Sequence, residues 1–205
     1  MNRESGRDTV SDRDGFDLFT IQDLTPVTRG GQHMRDPKEV SKDELRELLG
    51  KGWLTHDGAW FFSVASELGM ESANSLNKAA IKAMAPFETR RTMKVLDVSP
   101  EDLRDFDVLM DFVSAGLGLI MPDSVLNSLS IERSGENAFR WEWEPGGCFA
   151  FKSMTQLGRA GEYDCGVLYR IECWIEAIGI QVQLNPKPEG CLMNETGTCT
   201  GEFIF

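Results

Sequence analysis

Five cysteines, Cys148, Cys165, Cys173, Cys191 and Cys199, fall in the last third of this 205-residue chain. An odd number of thiols without an export signal argues against a disulfide framework. Three roles stay open for them: metal ligand, reactive nucleophile, or small buried apolar side chain. Cys191 and Cys199 bracket GCLMNETGTC, a polar loop between two expected strands. A turn of that kind can offer two thiolates to one ion, and a helix start beneath it can add a third. Zinc is the natural candidate, because it takes thiolate sulfur at about 2.3 Å in a tetrahedron of four ligands. Cys165 opens the expected helix DCGVLYRIECWIEAIG, where N-terminal amides favour a thiolate. The step from Cys191 to Cys199 is wider than that of an ordinary zinc knuckle. Cys173 lies one turn from Tyr169 and Ala177 and reads as core.

Cys148 follows Pro145-Gly146-Gly147 and begins another expected helix, so its thiol is a candidate nucleophile. A nucleophile wants a base within reach, and His56 is the one well-placed imidazole. His33 lies among Gly and Asp near the start and reads as a loop residue. His56 and Asp57 stand in the first turn of an expected helix, where the macrodipole favours an acid with or without a function. Read functionally, they hold a ligand or metal at a helix mouth, with Trp53 and Trp60 walling a pocket. Asn74 and Asn77 share one face of the next helix, and Glu88 follows. Amides are weak helix formers, so a ligand or buried network accounts for them as readily as solvent does. Trp141 and Trp143 share one face of an expected strand, as core or as a cavity wall. Arg140, Arg159 and Arg170 can each take a carboxylate bidentately. Arg170 stands out, since it sits mid-helix among Val167, Leu168, Tyr169 and Ile171.

The elements that must position these residues change in character along the chain. Residues 1–39 are rich in Asp, Arg, Gly, Ser and Thr, with apolar grip only in FDLFTIQDL. They read as a flexible arm, through which a homodimer can form. Residues 40–120 read as a helical segment. Ser41 with Glu44 makes a capping box. Gly50 and Gly52 are expected to end that first helix, Thr55 to cap a second, Gly69 to stop it, and Pro86 to start or kink a later one. Ser99-Pro100-Glu101-Asp102 marks a further start, for a helix reaching about Leu117. Residues 121–205 read as an α+β ligand-binding, cysteine-containing part. LSIERSGENAFRWEWE alternates apolar and polar on both sides of a turn, as a hairpin does. Two helices follow, then strands at IQVQL and GEFIF. The expected fold is α+β: an N-terminal helical segment, then a four-stranded antiparallel sheet with helices on one face.

With 33 acidic against 21 basic residues and a net charge of -12, the chain lacks the clustered cations that phosphates require. Nucleic acid is therefore excluded as a partner class. No apolar run approaches the ~18 residues of a membrane span, and the opening residues lack a secretory apolar core. The expectation is a cytoplasmic protein that binds a small molecule and neither nucleic acid nor membrane.

Two stretches also carry resemblances. WLTHDGAWFFSVASELGMESANSLNKAAIKAMAPFETRR, through Trp53, Asp57, Gly58, Trp60, Phe61, Gly69, Ala73, Asn77 and Glu88, resembles an uncharacterised bacterial and archaeal family. That family is similar to L-2-amino-thiazoline-4-carboxylic acid hydrolases, and the tail GTCTGEFIF resembles it too. The resemblance implies a metal-assisted hydrolase of a cyclic C–N or C–S substrate. His56, Asp57 and Cys148 would then serve catalysis, and Trp60, Asn77, Glu88, Trp141 and Arg170 the substrate. The tail further resembles small-ligand-binding 4-vinyl reductase domains, in which two turn thiolates, an upstream cysteine and a glutamate hold zinc. Carried over, that implies zinc on Cys165, Glu189, Cys191 and Cys199, with Glu189 one residue nearer its cysteine than the pattern has it. It implies a non-catalytic, zinc-stapled ligand sensor.

Overall fold

Two long helices open the described part of the chain, residues 34–205 of a computed structural model. Helix α1 (Lys42–Leu68) starts at Ser41, whose hydroxyl accepts from the Glu44 amide at 3.2 Å while the Glu44 carboxylate accepts from the Ser41 amide at 2.9 Å. The expected capping box is present. The helix then runs unbroken through Gly50, Gly52 and Thr55, so neither glycine ends it and Thr55 caps nothing. Gly50 has a different task. A side-chain carbon there would stand 3.0 Å from the Ile120 carbonyl oxygen and from the Pro122 ring, so its bareness lets a neighbouring segment approach.

Gly69, at φ 83°, breaks the chain between α1 and α2 (Met70–Leu96) as expected. Helix α2 continues through Pro86, which is exposed and neither starts nor ends a helix. Ser99 and Asp102 exchange the reciprocal bonds of a helix start, at 2.9 and 3.3 Å, yet they introduce only a short 3-10 turn, Asp102–Arg104. Asp105 is the true cap, accepting from the Asp107 and Val108 amides at the start of α3 (Phe106–Ile120). A single turn, α4 (Asp123–Leu126), leads into the sheet region.

Strands β1 (Leu129–Gly135) and β2 (Ala138–Trp143) form the expected hairpin. Helices α5 (Phe149–Gln156) and α6 (Gly166–Ala177) follow, then β3 (Gln183–Asn185), α7 (Leu192–Thr196) and β4 (Cys199–Ile204). The four strands make one antiparallel sheet in the order β1-β2-β4-β3. The fold is α+β, as the patterning predicts. Two details differ: of the expected IQVQL strand only Gln183 and Leu184 pair, joined by Asn185, and the loop between Cys191 and Cys199 holds a turn of helix.

Along β2, Phe139, Trp141 and Trp143 are buried while Arg140 and Glu142 face solvent. In register across the strand pair stand Phe139 with Phe203, Trp141 with Gly201, and Trp143 with Cys199. The buried face joins Phe61 and Ala73 of the long helices, Phe112, Val113 and Leu117 of α3, and Leu168 and Ile171 of α6 in one core. Residues Arg35–Phe205 accordingly form one compact unit, in which the expected parts 40–120 and 121–205 share their hydrophobic interior. No helix among the described residues is long and apolar enough to cross a membrane. The expected arm lies almost wholly outside the described residues, and so do His33 and any homodimer made through that arm.

Gly201 and Gly52 separate the two uses of glycine. A side-chain carbon on Gly201 would meet the Trp141 ring at 2.4 Å and the Asn185 carbonyl oxygen at 2.7 Å, whereas one on Gly52 meets nothing within 4 Å. Gly201→Ala is expected to cost about 1–3 kcal/mol through overpacking. Gly52→Ala is expected to gain about 0.5–1 kcal/mol through helix propensity. Chemical melts of both variants check this, and shifts of the same sign would contradict the packing described.

Candidate functional site

Arg170 sits in the middle of α6 and is 7% exposed. One terminal nitrogen of its guanidinium donates to Glu88 Oε1 at 2.5 Å, and the Trp174 indole donates to Glu88 Oε2 at 2.9 Å. Arg170 and Trp174 are four apart on one helix, so a single face presents both donors to a carboxylate on α2. The Trp53 ring of α1 lies beneath the guanidinium, with its centroid 4.4 Å away. Arg170 Nε is buried and has no hydrogen-bond partner.

That side chain borders a cavity of about 70 Å³, open at one side. Trp53 and Leu54 of α1, Ile81 of α2, Leu117 and Met121 at the end of α3, and Trp143, Phe149 and Val167 give it an apolar wall. Its polar lining comes from Asp57, Asn77, Tyr163 and Arg170. The cavity is thus apolar with a few convergent polar groups. Asn77 is 8% exposed, and Gly166 makes room for it: a side-chain carbon on Gly166 would stand 2.7 Å from Asn77 Nδ2. Asn74 serves the scaffold instead. Its amide donates to the Glu162 carbonyl at 2.7 Å, and its oxygen accepts from the Asp164 amide at 3.1 Å, which pins the loop entering α6.

Asp57 stands at the mouth. It keeps contact with solvent yet is crowded by protein on the pocket side, and that burial raises its carboxyl above the ordinary range. Arg170 and then His56 oppose the rise, while Glu88 adds to it. His56 is exposed and lies outside the lining. Trp60 is 40% exposed and also lies outside it, because position 60 is two turns, about 10 Å, further along α1 than Trp53. Trp141 is fully buried in the core, and Trp143, two residues on and on the same face, takes the place in the wall. Arg140 and Arg159 pair with Glu142 and Glu162 at the surface.

The thiols occupy a second, smaller cavity. Cys148, Cys165 and Cys191 are the N-cap residues of α5, α6 and α7, and Cys199 begins β4. All four line one space of about 10 Å³. Cys173 packs elsewhere, against Ile81, Ala85 and Trp174, in the core role expected for it. Glu189 is exposed and does not border the cavity, whereas Cys148 does. The five thiols are all free. Among the described residues, no group of three or more histidine, cysteine or acidic side chains is arranged to hold a metal ion as the side chains stand.

At Cys148 and Cys165 burial reverses the lowering expected of a helix start. Burial raises Cys148, although the Phe151 and Ala150 amides pull the other way. Cys165 keeps some residue surface in solvent, but its sulfur is densely surrounded, and burial pushes it up to about 12 against the Leu168 and Val167 amides. Burial also pushes Cys199 up to about 12. Desolvation outweighs the helix amides. Cys148 also lacks the expected base: His56 is not at its cavity. Trp143, Tyr163 and Val167 border both cavities and form the partition between them. Tyr163 carried no sequence signal, yet its hydroxyl accepts from the Gly166 amide at 3.1 Å and its ring meets Phe61 edge-on at 5.7 Å.

Removing one partner of the buried pair should be costly. Glu88→Ala is expected to destabilise by about 3–5 kcal/mol, and a second change, Arg170→Met, to recover much of that loss. Melts of the single and double variants read the difference. Asp57→Asn tests the raised carboxyl. Below the ordinary carboxylate range both folded and unfolded chains hold the proton, and Asp57 has no effect. As pH climbs past that range the unfolded chain ionises first, which penalises the folded state. The variant should therefore be the more stable at neutral pH, with its advantage vanishing on acidification; an advantage independent of pH would contradict the assignment.

Comparison with known sequences places one likeness on this geometry. Residues 38–114 are similar to a family of unknown function (DUF6125). The match spans α1, α2 and the first half of α3, which carry Trp53, Asp57, Asn77 and Glu88, and it ends before the thiols. No curated protein and no solved structure matches the chain, and neither the thiazoline-carboxylate hydrolases nor the 4-vinyl reductase domains are linked to it by these comparisons.

Proposed function

We propose that this chain binds a small carboxylic acid, with the carboxylate on Arg170 and an apolar body against Trp53 and Trp143. The observation that carries the reading is Arg170, a residue of the cavity lining whose buried Nε–H has no acceptor. A buried polar group left unpaired costs about 1–3 kcal/mol, and an anionic ligand atom removes that cost. Glu88 engages one terminal nitrogen only, so the guanidinium retains donors for a second acceptor. The volume of about 70 Å³ admits a compact ligand, or the head of one that projects past Asp57.

Asp57 favours a second reading. A carboxyl raised by burial at a pocket mouth, in the field of an arginine, has the properties of a general acid–base, and a hydrolase of a small cyclic acid would use it so. The other two residues expected to be catalytic, His56 and Cys148, do not line this pocket, which is why binding is placed first.

Titration with short-chain and aromatic monocarboxylic acids, each beside its amide, tests the proposal through tryptophan fluorescence and calorimetry. Acids should bind saturably and better than their amides. The Arg170→Met/Glu88→Gln double variant, which leaves no buried charge, should lose about tenfold or more of that affinity, the worth of a charge-assisted hydrogen bond. Equal binding of acid and amide, or an unaffected variant, would remove Arg170 from the site. Turnover that disappears in Asp57→Asn while acid binding persists would establish the hydrolytic reading.

A further inference from the structure

The four cysteines at the second cavity come from four elements far apart along the chain. Three are helix N-caps, and the fourth faces Trp143 across the β2–β4 pair. The space among them, about 10 Å³, is close to that of one water-sized sphere. Apart from the Tyr163 hydroxyl, which is engaged with Gly166, the remaining lining is hydrocarbon, aromatic or thioether. Four sulfur donors round a single-atom space match the ligand count and softness that zinc-class ions select.

Donors point at these sulfurs as well. The Ala150 and Phe151 amides face Cys148, and the Val167 and Leu168 amides face Cys165. Trp141 is fully buried, and its indole N–H lies towards the Cys199 sulfur without reaching hydrogen-bond geometry and has no other partner. A neutral thiol is a weak acceptor, so these donors are poorly used by it. A metal-bound thiolate accepts such N–H groups and is oriented by them. The unpaired Trp141 N–H is the independent observation here, since it does not depend on the cysteines being clustered.

We infer that Cys148, Cys165, Cys191 and Cys199 form a closed four-thiolate site for one soft divalent ion of the zinc class, with Cys148 rather than Glu189 as the fourth ligand. Binding releases four thiol protons and leaves a complex of net charge −2. The start of α5, the start of α6 and the Trp141 N–H surround that charge with positive dipole ends. Ligation draws the sulfurs inward to about 2.3 Å from one centre. With all four positions filled by protein, no water is activated, and the role is to staple β4 and α7 to the starts of α5 and α6. The inference stands apart from the carboxylate pocket and does not rely on what that pocket binds.

The full chain, produced in zinc-supplemented medium and purified without chelators, should carry one zinc. X-ray absorption at the zinc edge should count four sulfurs at about 2.3 Å and no oxygen. Cobalt-substituted chain should show thiolate-to-cobalt charge transfer. Cys148→Ser should lose about a quarter of that intensity, one thiolate of four. Glu189→Gln and Cys173→Ser should leave it unchanged. Three sulfurs with one oxygen, or loss of metal in Glu189→Gln with none in Cys148→Ser, would overturn the ligand set. A parent chain without metal, whose melt responds neither to added zinc nor to a chelator, would overturn the site itself. Should Cys148→Ser not fold, the sulfur count on the parent decides alone.

Discussion

The Arg170–Glu88 pair is the constraint round which the molecule is arranged. Two opposite charges leave water together, with side chains only 8% and 17% exposed, and their attraction has to offset a desolvation cost of several kcal/mol per ion. The surroundings make that feasible. Both Glu88 oxygens receive a donor, and the guanidinium face rests on Trp53. Those partners lie on α1, α2 and α6, so the pair fixes how three helices meet. Isolated surface pairs such as Lys51–Glu47 carry no such weight, because solvent screens them and either residue can move alone.

What the pair leaves undone is as informative as what it satisfies. An orphaned buried N–H is a penalty, carried here by Arg46 of the scaffold as well as by Arg170. Arg170 Nε is orphaned in a side chain that lines the same cavity as Asn77 and Asp57. The orphaned donor is a concession of stability. Trp141 makes the same concession one partition away, beside the thiols. Among the described residues three buried donors lack acceptors, Arg46 Nε, Arg170 Nε and the Trp141 indole; of these, Arg170 lines the larger of two adjoining cavities, which share Trp143, Tyr163 and Val167.

Much of this fold was legible because periodic patterns report on local geometry. The alternation around Ser134–Asn137, the Ser41–Glu44 box and the Gly69 break each appear where the patterning puts them. Arg170 was legible for a related reason: a lone cation in an apolar helix face has to be paired or to serve a ligand. The failures share a different cause. Gly50 was read as a helix terminator, but its role is set by Ile120 and Pro122, residues remote along the chain, and no local rule contains them. Ser99 and Asp102 make the bonds of a cap but are followed by a 3-10 turn, so a correct local signal ends one turn early. Glu189 was carried over as a ligand from a resemblance; in the structure it is exposed, while Cys148, remote along the chain, borders the thiol space. Tyr163 stands in an irregular loop, where no period exists to single it out.

Helix α6 explains why the two cavities are not independent pieces of architecture. Its cap, Cys165, borders the thiol space; Val167 is in the partition; Arg170 lines the larger cavity; Trp174 reaches Glu88. From Cys165 to Arg170 the axial rise is only about 7.5 Å, within one hydrogen-bonded rod. The helix start itself is held by the Tyr163 hydroxyl on the Gly166 amide and by Asn74 on the loop before it, not by a capping side-chain oxygen of its own. An N-cap without an oxygen leaves the first-turn amides to the Cys165 sulfur, a poor acceptor as a thiol and a good one as a thiolate. The Tyr163 hydroxyl, the Asn74 amide and the Cys165 sulfur therefore act together on the first turn of α6, at one end of the rod whose middle carries Arg170 into the lining of the larger cavity.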